Sequence, residues 1–321
     1  MTTIHTGPAT SLRVVSARDI RTVEDAEQWA EGHRGELRAT VAESGAVLVR
    51  GLDLRDAGGV AAVARRLANE LMVEREGFAK RHVYSPGVYS SSAWTDDMPM
   101  CMHHELSYAR TFPGMMMFAC LSLADSGGEV EIADARSVLS ALPAERFAGF
   151  TGDGWQLVRN YHPETGIPWQ EAFGTEDRAE LEAYCTANGI TVEWRPGGLL
   201  RTRQARPAVL THPITGARCW FNQIAFLNEW TMLEDIREYL VYEFGRDGLP
   251  FNTAHADGKP LTAAVVDELN NVYERHAVTV PWQPGDLLLV DNISTAHSRK
   301  PFTGSREVIV AMGDPVDRTT L

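Results

Sequence analysis

The sequence predicts a mainly β fold with inserted helices, built on a double-stranded β-helix (jelly-roll) core. Three observations point there. Two strand-like stretches carrying chemistry-bearing side chains, residues 100–108 and 290–297, lie about 190 residues apart. Helical segments fall between them, which suits a sheet core whose mouth holds a ligand. No strand is followed by Gly-x-Gly-x-x-Gly and no phosphate-loop signature occurs, which excludes a nucleotide-binding doubly wound sheet.

The elements follow in order. Residues 1–20 read as a loose start, leading into a polar helix over 23–44 that Gly45 stops. Residues 46–51, Ala-Val-Leu-Val-Arg-Gly, form a short buried strand, and a helix over about 59–71 places Val60, Val63, Ala64 and Leu67 on one face. Residues 82–100 lack a helical period and read as loop and short strand. Met115-Met116-Met117-Phe118-Ala119-Cys120-Leu121 is an apolar run of strand length. Gly127-Gly128 turns the chain into an alternating strand over 129–134, and Asp134 is placed to cap the next helix. The middle, about 155–225, mixes short strands with a helix over 176–188. Helices over 231–244 and 262–276 follow, placing the helical insertions between about 134 and 276. The finish is strand-rich at 276–280, 286–290 and 307–312. With no repeat, low-complexity tract or long linker, residues 1–321 read as a single domain.

Composition narrows the function. Of the 321 residues, 44% are hydrophobic and 23% charged, as in ordinary globular proteins. A net charge of -13 argues against nucleic acid or an anionic membrane as the main partner. The N-terminus lacks the basic and apolar regions of a signal peptide, and no apolar run approaches a membrane span. Cys101, Cys120, Cys185 and Cys219 are widely spaced, fitting reduced thiols in a cytoplasmic protein; Cys101 reads as packing.

In Met100-Cys101-Met102-His103-His104-Glu105-Leu106-Ser107-Tyr108, strand alternation directs His103 and Glu105 to one face and His104 to the other. Two imidazoles and one carboxylate are the facial set of non-haem iron(II) oxygenases, though His-x-Glu alone reads more readily as a polar strand end. His5, His33, His162, His212, His255 and His276 have no partner at ligand spacing and read as surface or satisfied core residues.

From Gly285 to Arg306 the chain reads Gly-Asp-Leu-Leu-Leu-Val-Asp-Asn-Ile-Ser-Thr-Ala-His-Ser-Arg-Lys-Pro-Phe-Thr-Gly-Ser-Arg. Together with residues 102–108 this resembles the taurine dioxygenase and clavaminate synthase-like family of iron(II)/2-oxoglutarate dioxygenases, in its amino-acid-tailoring, natural-product branch. Val47-Leu48-Val49-Arg50-Gly51, Gly127-Gly128-Glu129, Arg159-Asn160-Tyr161 and Trp220-Phe221-Asn222-Gln223 extend the resemblance over nearly the whole chain. It implies that His103, Glu105 and His297 hold Fe(II), the catalytic centre. It also implies that Arg306 holds the distal carboxylate of 2-oxoglutarate by a bidentate, charge-assisted pair, with O2 as the other cosubstrate. Arg299 reads as a surface charge as readily as a site residue. Tyr108, Asn160, Asn222, Gln223 and His104 are candidates for the substrate wall.

Two departures matter. Val130 stands where many members carry a threonine that helps hold 2-oxoglutarate, at the expense of one hydrogen bond, about 0.5–1.5 kcal/mol. Val310 stands where sulfonate-using relatives carry a second arginine, which argues against taurine as substrate. Retention of Glu105 favours oxygen transfer over halogenation. The implied activity is oxidation, first of all hydroxylation, of an unactivated C–H bond in a small amino-acid-like substrate, free or tethered to an aminoacyl carrier protein. Desaturation, epoxidation or cyclisation at the same centre are the alternatives, with a zinc hydrolase or a non-catalytic metal-binding jelly roll behind them. The sequence leaves oligomeric state and substrate identity open.

Overall fold

The computed structural model describes residues 2–5, 11–162 and 165–321. Its centre is the strand Thr111–Ser122, grown from the methionine-rich run. This strand lies between Leu287–Asp291 and Glu307–Asp317 in an eight-stranded sheet. The order is Thr2–His5, Ser11–Ser16, Ala46–Arg50, Leu287–Asp291, Thr111–Ser122, Glu307–Asp317, Val88–Ser90, Val83–Ser85. Every neighbouring pair is antiparallel except Ser11–Ser16 with Ala46–Arg50.

The period-two geometry of a strand divides the run between two layers. Met115, Met117 and Ala119 pack with Ala30, Leu37, Val63 and Leu67 of the helices Val23–Ser44 and Ala57–Leu67. Met116 and Phe118 face inward, to a core shared with Val130, Ile132, Val278 and Ala296. Both faces are covered, which is why the strand reads as continuous apolar sequence rather than alternation.

The inner core is closed by a four-stranded antiparallel sheet ordered Ala277–Thr279, Val130–Asp134, Thr295–Arg299, Met100–His103. The two facing sheets are the jelly roll, as expected from the sequence. The chain passes from one to the other between Leu287–Asp291 and Thr295–Arg299, through a corner at residues 292–294. A third sheet, ordered Thr191–Arg195, Leu199–Arg206, Trp155–Tyr161, Phe251–His255, resolves the mixed middle of the chain.

Several boundaries differ from expectation. The start is not loose where it is described: Ser11–Ser16 pairs with both Thr2–His5 and Ala46–Arg50. The second helix spans Ala57–Leu67, because Asp56 caps it by accepting from the Gly59 N–H. Gly45 ends the first helix at φ 82°, and a side chain there would collide with Thr295. The helix Ala144–Gly152 was not anticipated. Among the described residues no helix is long and apolar enough to cross a membrane.

Candidate active site

His103 ends the strand Met100–His103 and is the direct cross-strand partner of His297, with ring centroids 4.3 Å apart. Facing positions in an antiparallel pair present their side chains together, so the sheet register alone brings the two imidazoles into one place. Glu105 lies beyond the strand end, in a turn. Strand alternation therefore does not bring Glu105 beside His103: the sheet stops two residues short of the carboxylate, and the turn carries it to the same face.

One ligand atom from each of His103, Glu105 and His297 lies within 4.8 Å of the others. All three residues are buried, between 2% and 5% exposed. His103 donates its Nδ1 hydrogen to the Cys101 carbonyl at 2.8 Å, which leaves the Nε2 lone pair for a metal. Its ring stacks on Phe226, centroids 4.4 Å apart. His297 Nε2 lies 3.9 Å from Glu105 Oε2. Burial lowers the pKa of His103 against the pull of Glu105. Burial, reinforced by repulsion from His103 and His104, holds His297 well below the ordinary histidine value. Both imidazoles are thus neutral donors beside one carboxylate, a donor set that fits iron(II).

These residues open into a cavity of about 240 Å³ that also carries Arg81, Trp94, Val130, Arg299, Arg306 and Val310. Arg306 donates through Nε to the Gly128 carbonyl at 3.0 Å. Among the described residues no carboxylate pairs with it. Burial and then the nearby Arg299 push its pKa down to about 10. A desolvated guanidinium without an acid is set to receive an anion, which fits a carboxylate of 2-oxoglutarate. Val130 presents only methyl groups to the same cavity.

Arg299 corrects the surface alternative. It is 8% exposed, lines the cavity, and donates to the carbonyls of Thr95 and Met98, both at 2.8 Å. It thereby ties the segment carrying Ser91, Ser92, Trp94 and Asp96 across the cavity.

The five substrate-wall candidates do not line the cavity; four of them hydrogen-bond to the scaffold instead. His104 faces the core against Phe221, its Nδ1 donating to the Asn292 carbonyl at 2.6 Å. The Tyr108 hydroxyl donates to the Glu76 carbonyl at 2.8 Å. Asn160 donates to the carbonyls of Asp247 and Leu249, and Asn222 to that of Ala208. Gln223 is 1% exposed and its amide finds no partner among the described residues. Of the surface and satisfied-core placements open to His212, the structure takes the second: Nε2 donates to Asp291 at 2.7 Å while Nδ1 accepts from the N–H groups of Ile214 and Thr215.

Three neighbours of the site were missed by the sequence reading. Arg81 donates to Glu105 Oε2 at 3.1 Å and lies 3.5 Å from Glu74. Burial opposes its charge, yet Glu105 and Glu74 hold its pKa above the usual arginine range. Phe226 supplies the face on which His103 rests. Asn292 clamps the Glu105 peptide from both sides. Only Asn292 had a visible signal, as part of the Val-Asp-Asn run before His297.

The fold and this donor set define a non-haem iron(II)/2-oxoglutarate dioxygenase. Comparison with known proteins agrees. Residues 8–312 match the family described as "Taurine catabolism dioxygenase TauD, TfdA family". The chain is 34% identical over 276 residues to the dapdiamide synthesis protein DdaC of Enterobacter agglomerans, covering 86% of this chain and 84% of that one. It is 28% identical over 291 residues to a clavaminate synthase-like protein of Arabidopsis thaliana, covering 86% and 83%. Among solved structures, PvcB of Pseudomonas aeruginosa shares the fold at a TM-score of 0.55 and 14% identity, over 97% of this chain and 89% of that one. The chain belongs to the TauD/TfdA family of dioxygenases, with Fe(II) as its metal and 2-oxoglutarate and O2 as cosubstrates.

Proposed function

We propose that this enzyme hydroxylates an unactivated C–H bond of a small amino-acid-like substrate, free or tethered to an aminoacyl carrier protein, in secondary metabolism. In this reading His103, Glu105 and His297 are the metal ligands and Arg306 binds the distal carboxylate of 2-oxoglutarate. One observation carries it: two neutral imidazoles, one carboxylate and a buried guanidinium that no carboxylate among the described residues pairs with share a single cavity. When bound, iron(II) couples the oxidation of 2-oxoglutarate by O2, to succinate and carbon dioxide, to insertion of the second oxygen atom into the substrate's C–H bond.

The chain's own residues do the rest. Burial keeps His103 and His297 unprotonated and available as donors. Arg306 orients the cosubstrate, and Phe118, Val130, Phe302, Val308 and Val310 exclude water around it. Asp96 and Arg299 lie 4.0 Å apart on the cavity wall, which Ser91 and Ser92 also line. An acid and a base side by side suit the ammonium and carboxylate of an amino acid. Val310, in place of a second arginine, supports a substrate other than a sulfonate. The relationship to a dapdiamide synthesis protein supports a place in natural-product assembly. We read the chain as one catalytic unit, since both halves of the site come from sequence-distant strands of one core. Its four free cysteines support action in a reducing cytoplasm.

The test is succinate formation from 2-oxoglutarate by anaerobically iron-loaded protein, then exposed to O2 with a panel of free amino acids and the same residues as carrier-protein thioesters. Succinate should require Fe(II) and O2, stop with chelator, and rise with the true substrate, whose product gains one oxygen atom. Loss of two hydrogens instead would mark desaturation. Arg306→Gln should raise the KM for 2-oxoglutarate about 10–100-fold, the loss of a charged hydrogen bond of about 1.5–3 kcal/mol. Iron-loaded protein that neither binds nor consumes 2-oxoglutarate sinks the assignment.

A further inference from the structure

We infer that Asn292 is a positioning residue that sets where the Glu105 carboxylate stands relative to His297. The inference rests on Glu105 being a metal ligand and adds what holds it there. The sheet fixes His103 and His297 but ends at His103, so no ladder holds the backbone of Glu105. At 2% exposure, that backbone cannot turn to water for its hydrogen bonds.

Asn292 replaces the missing strand. Its Oδ1 accepts from the Glu105 N–H at 2.8 Å, and its Nδ2 donates to the Glu105 carbonyl at 2.9 Å. The second Nδ2 hydrogen goes to the Pro113 carbonyl at 2.8 Å. The Asn292 backbone N–H donates to Gly114, and its carbonyl accepts from His104 Nδ1. The residue is 0% exposed, and both amide hydrogens and the amide oxygen are engaged. Directly after the clamp, Leu106 adopts φ 51°, the left-handed region, in a fully buried position. A leucine keeps that conformation only where its surroundings over-determine it.

Asn292 opens the corner that carries the chain from Leu287–Asp291 to Thr295–Arg299, five residues before His297. The separation of Glu105 and His297 is therefore set by this short corner, from Asn292 to His297. Sheet register sets the two imidazoles; the asparagine sets the carboxylate.

Asn292→Asp tests this. It keeps the shape and the acceptor for the Glu105 N–H but turns an oxygen toward the carbonyls of Glu105 and Pro113. Mn(II) affinity measured by titration should fall about 10–100-fold, the range for losing an outer partner of a metal ligand. The rise in melting temperature on adding Mn(II) should shrink accordingly. A purely structural role would lower the melting temperature of metal-free protein and leave Mn(II) affinity unchanged, and that result overturns the inference. Should the variant not fold, hydrogen exchange on metal-free wild type decides. The Glu105 amide should exchange only with global unfolding, and rapid exchange there overturns the clamp. If wild type itself takes up no Mn(II), or Glu105→Gln binds it equally well, the ligand assignment beneath the inference falls instead.

Discussion

Arg81 shows how a single side chain can hold a buried carboxylate that lies far from it along the chain. Its guanidinium stands between Glu105 and Glu74, all three nearly enclosed. Burial raises the pKa of Glu74, with Arg81 pulling against it. Arg81→Met would strand two buried carboxylates, and breaking such a pair costs about 3–5 kcal/mol. We expect a lower melting temperature for metal-free Arg81→Met, and a smaller gap to wild type once Mn(II) is added, because the metal then meets the charge of Glu105. A gap that ignores the metal would separate Arg81 from the site. Nothing in the run Glu74-Arg75-Glu76-Gly77-Phe78-Ala79-Lys80-Arg81 distinguishes this arginine from a solvated charge. Its partner lies 24 residues away, and only folding brings the two together.

Elements made the fold legible where local chemistry and tertiary packing agree. The helix Val23–Ser44 was readable because Gly45 stops it, and Asp134 was readable as a cap because it accepts from the N–H groups of Arg136 and Ser137. The turn through Gly127 and Gly128 into the strand Val130–Asp134 was readable, but its second duty was not. Both glycines are left-handed, at φ 72° and 74°. A Cβ on Gly128 would stand 2.9 Å from Arg306 Cδ and 3.1 Å from Phe302 Cβ. Gly128→Ala should therefore strain the backbone by about 1–2 kcal/mol and displace Arg306. The dissociation constant for 2-oxoglutarate should rise by roughly tenfold while that for Mn(II) stays at the wild-type value. Parallel loss of both would place the defect in the fold rather than in the cosubstrate pocket. The third sheet was the least legible region. Its inner strands Trp155–Tyr161 and Leu199–Arg206 mix apolar with polar residues, and buried polar side chains such as Arg159 and Gln204 satisfy the backbone of distant segments.

At the scale of the whole molecule, burying imidazoles links stability to pH. Burial lowers the pKa of His104 from 6.5 to about 4, opposed by its bond to the Asn292 carbonyl. The folded form stays neutral where the unfolded chain already binds a proton. This contribution is complete above 6.5 and is lost as pH falls toward 4, up to about 3 kcal/mol. The buried Glu74 and Glu76 act in the opposite sense, since burial raises both pKa values. The clean measurement is therefore a difference. Chemical denaturation of wild type and His104→Asn across this interval should show a shallower decline for the variant, whereas parallel curves would remove His104 from the acid response.

The sequence by itself determined the jelly-roll class, most helices and strands and the family, and it singled out His103, Glu105, His297 and Arg306, which the structure brings to one cavity. These rest on local signals: hydrophobic period, turn and cap residues, and motifs whose spacing is written along the chain. Tertiary structure alone decided that Arg299 is buried, that Arg81 and Asn292 hold Glu105, and that Tyr108, His104, Asn160, Asn222 and Gln223 belong to the scaffold. The reason is physical. A buried polar group is defined by the partner that satisfies it, and for Arg299 that partner lies 204 residues away, beyond the reach of any local pattern.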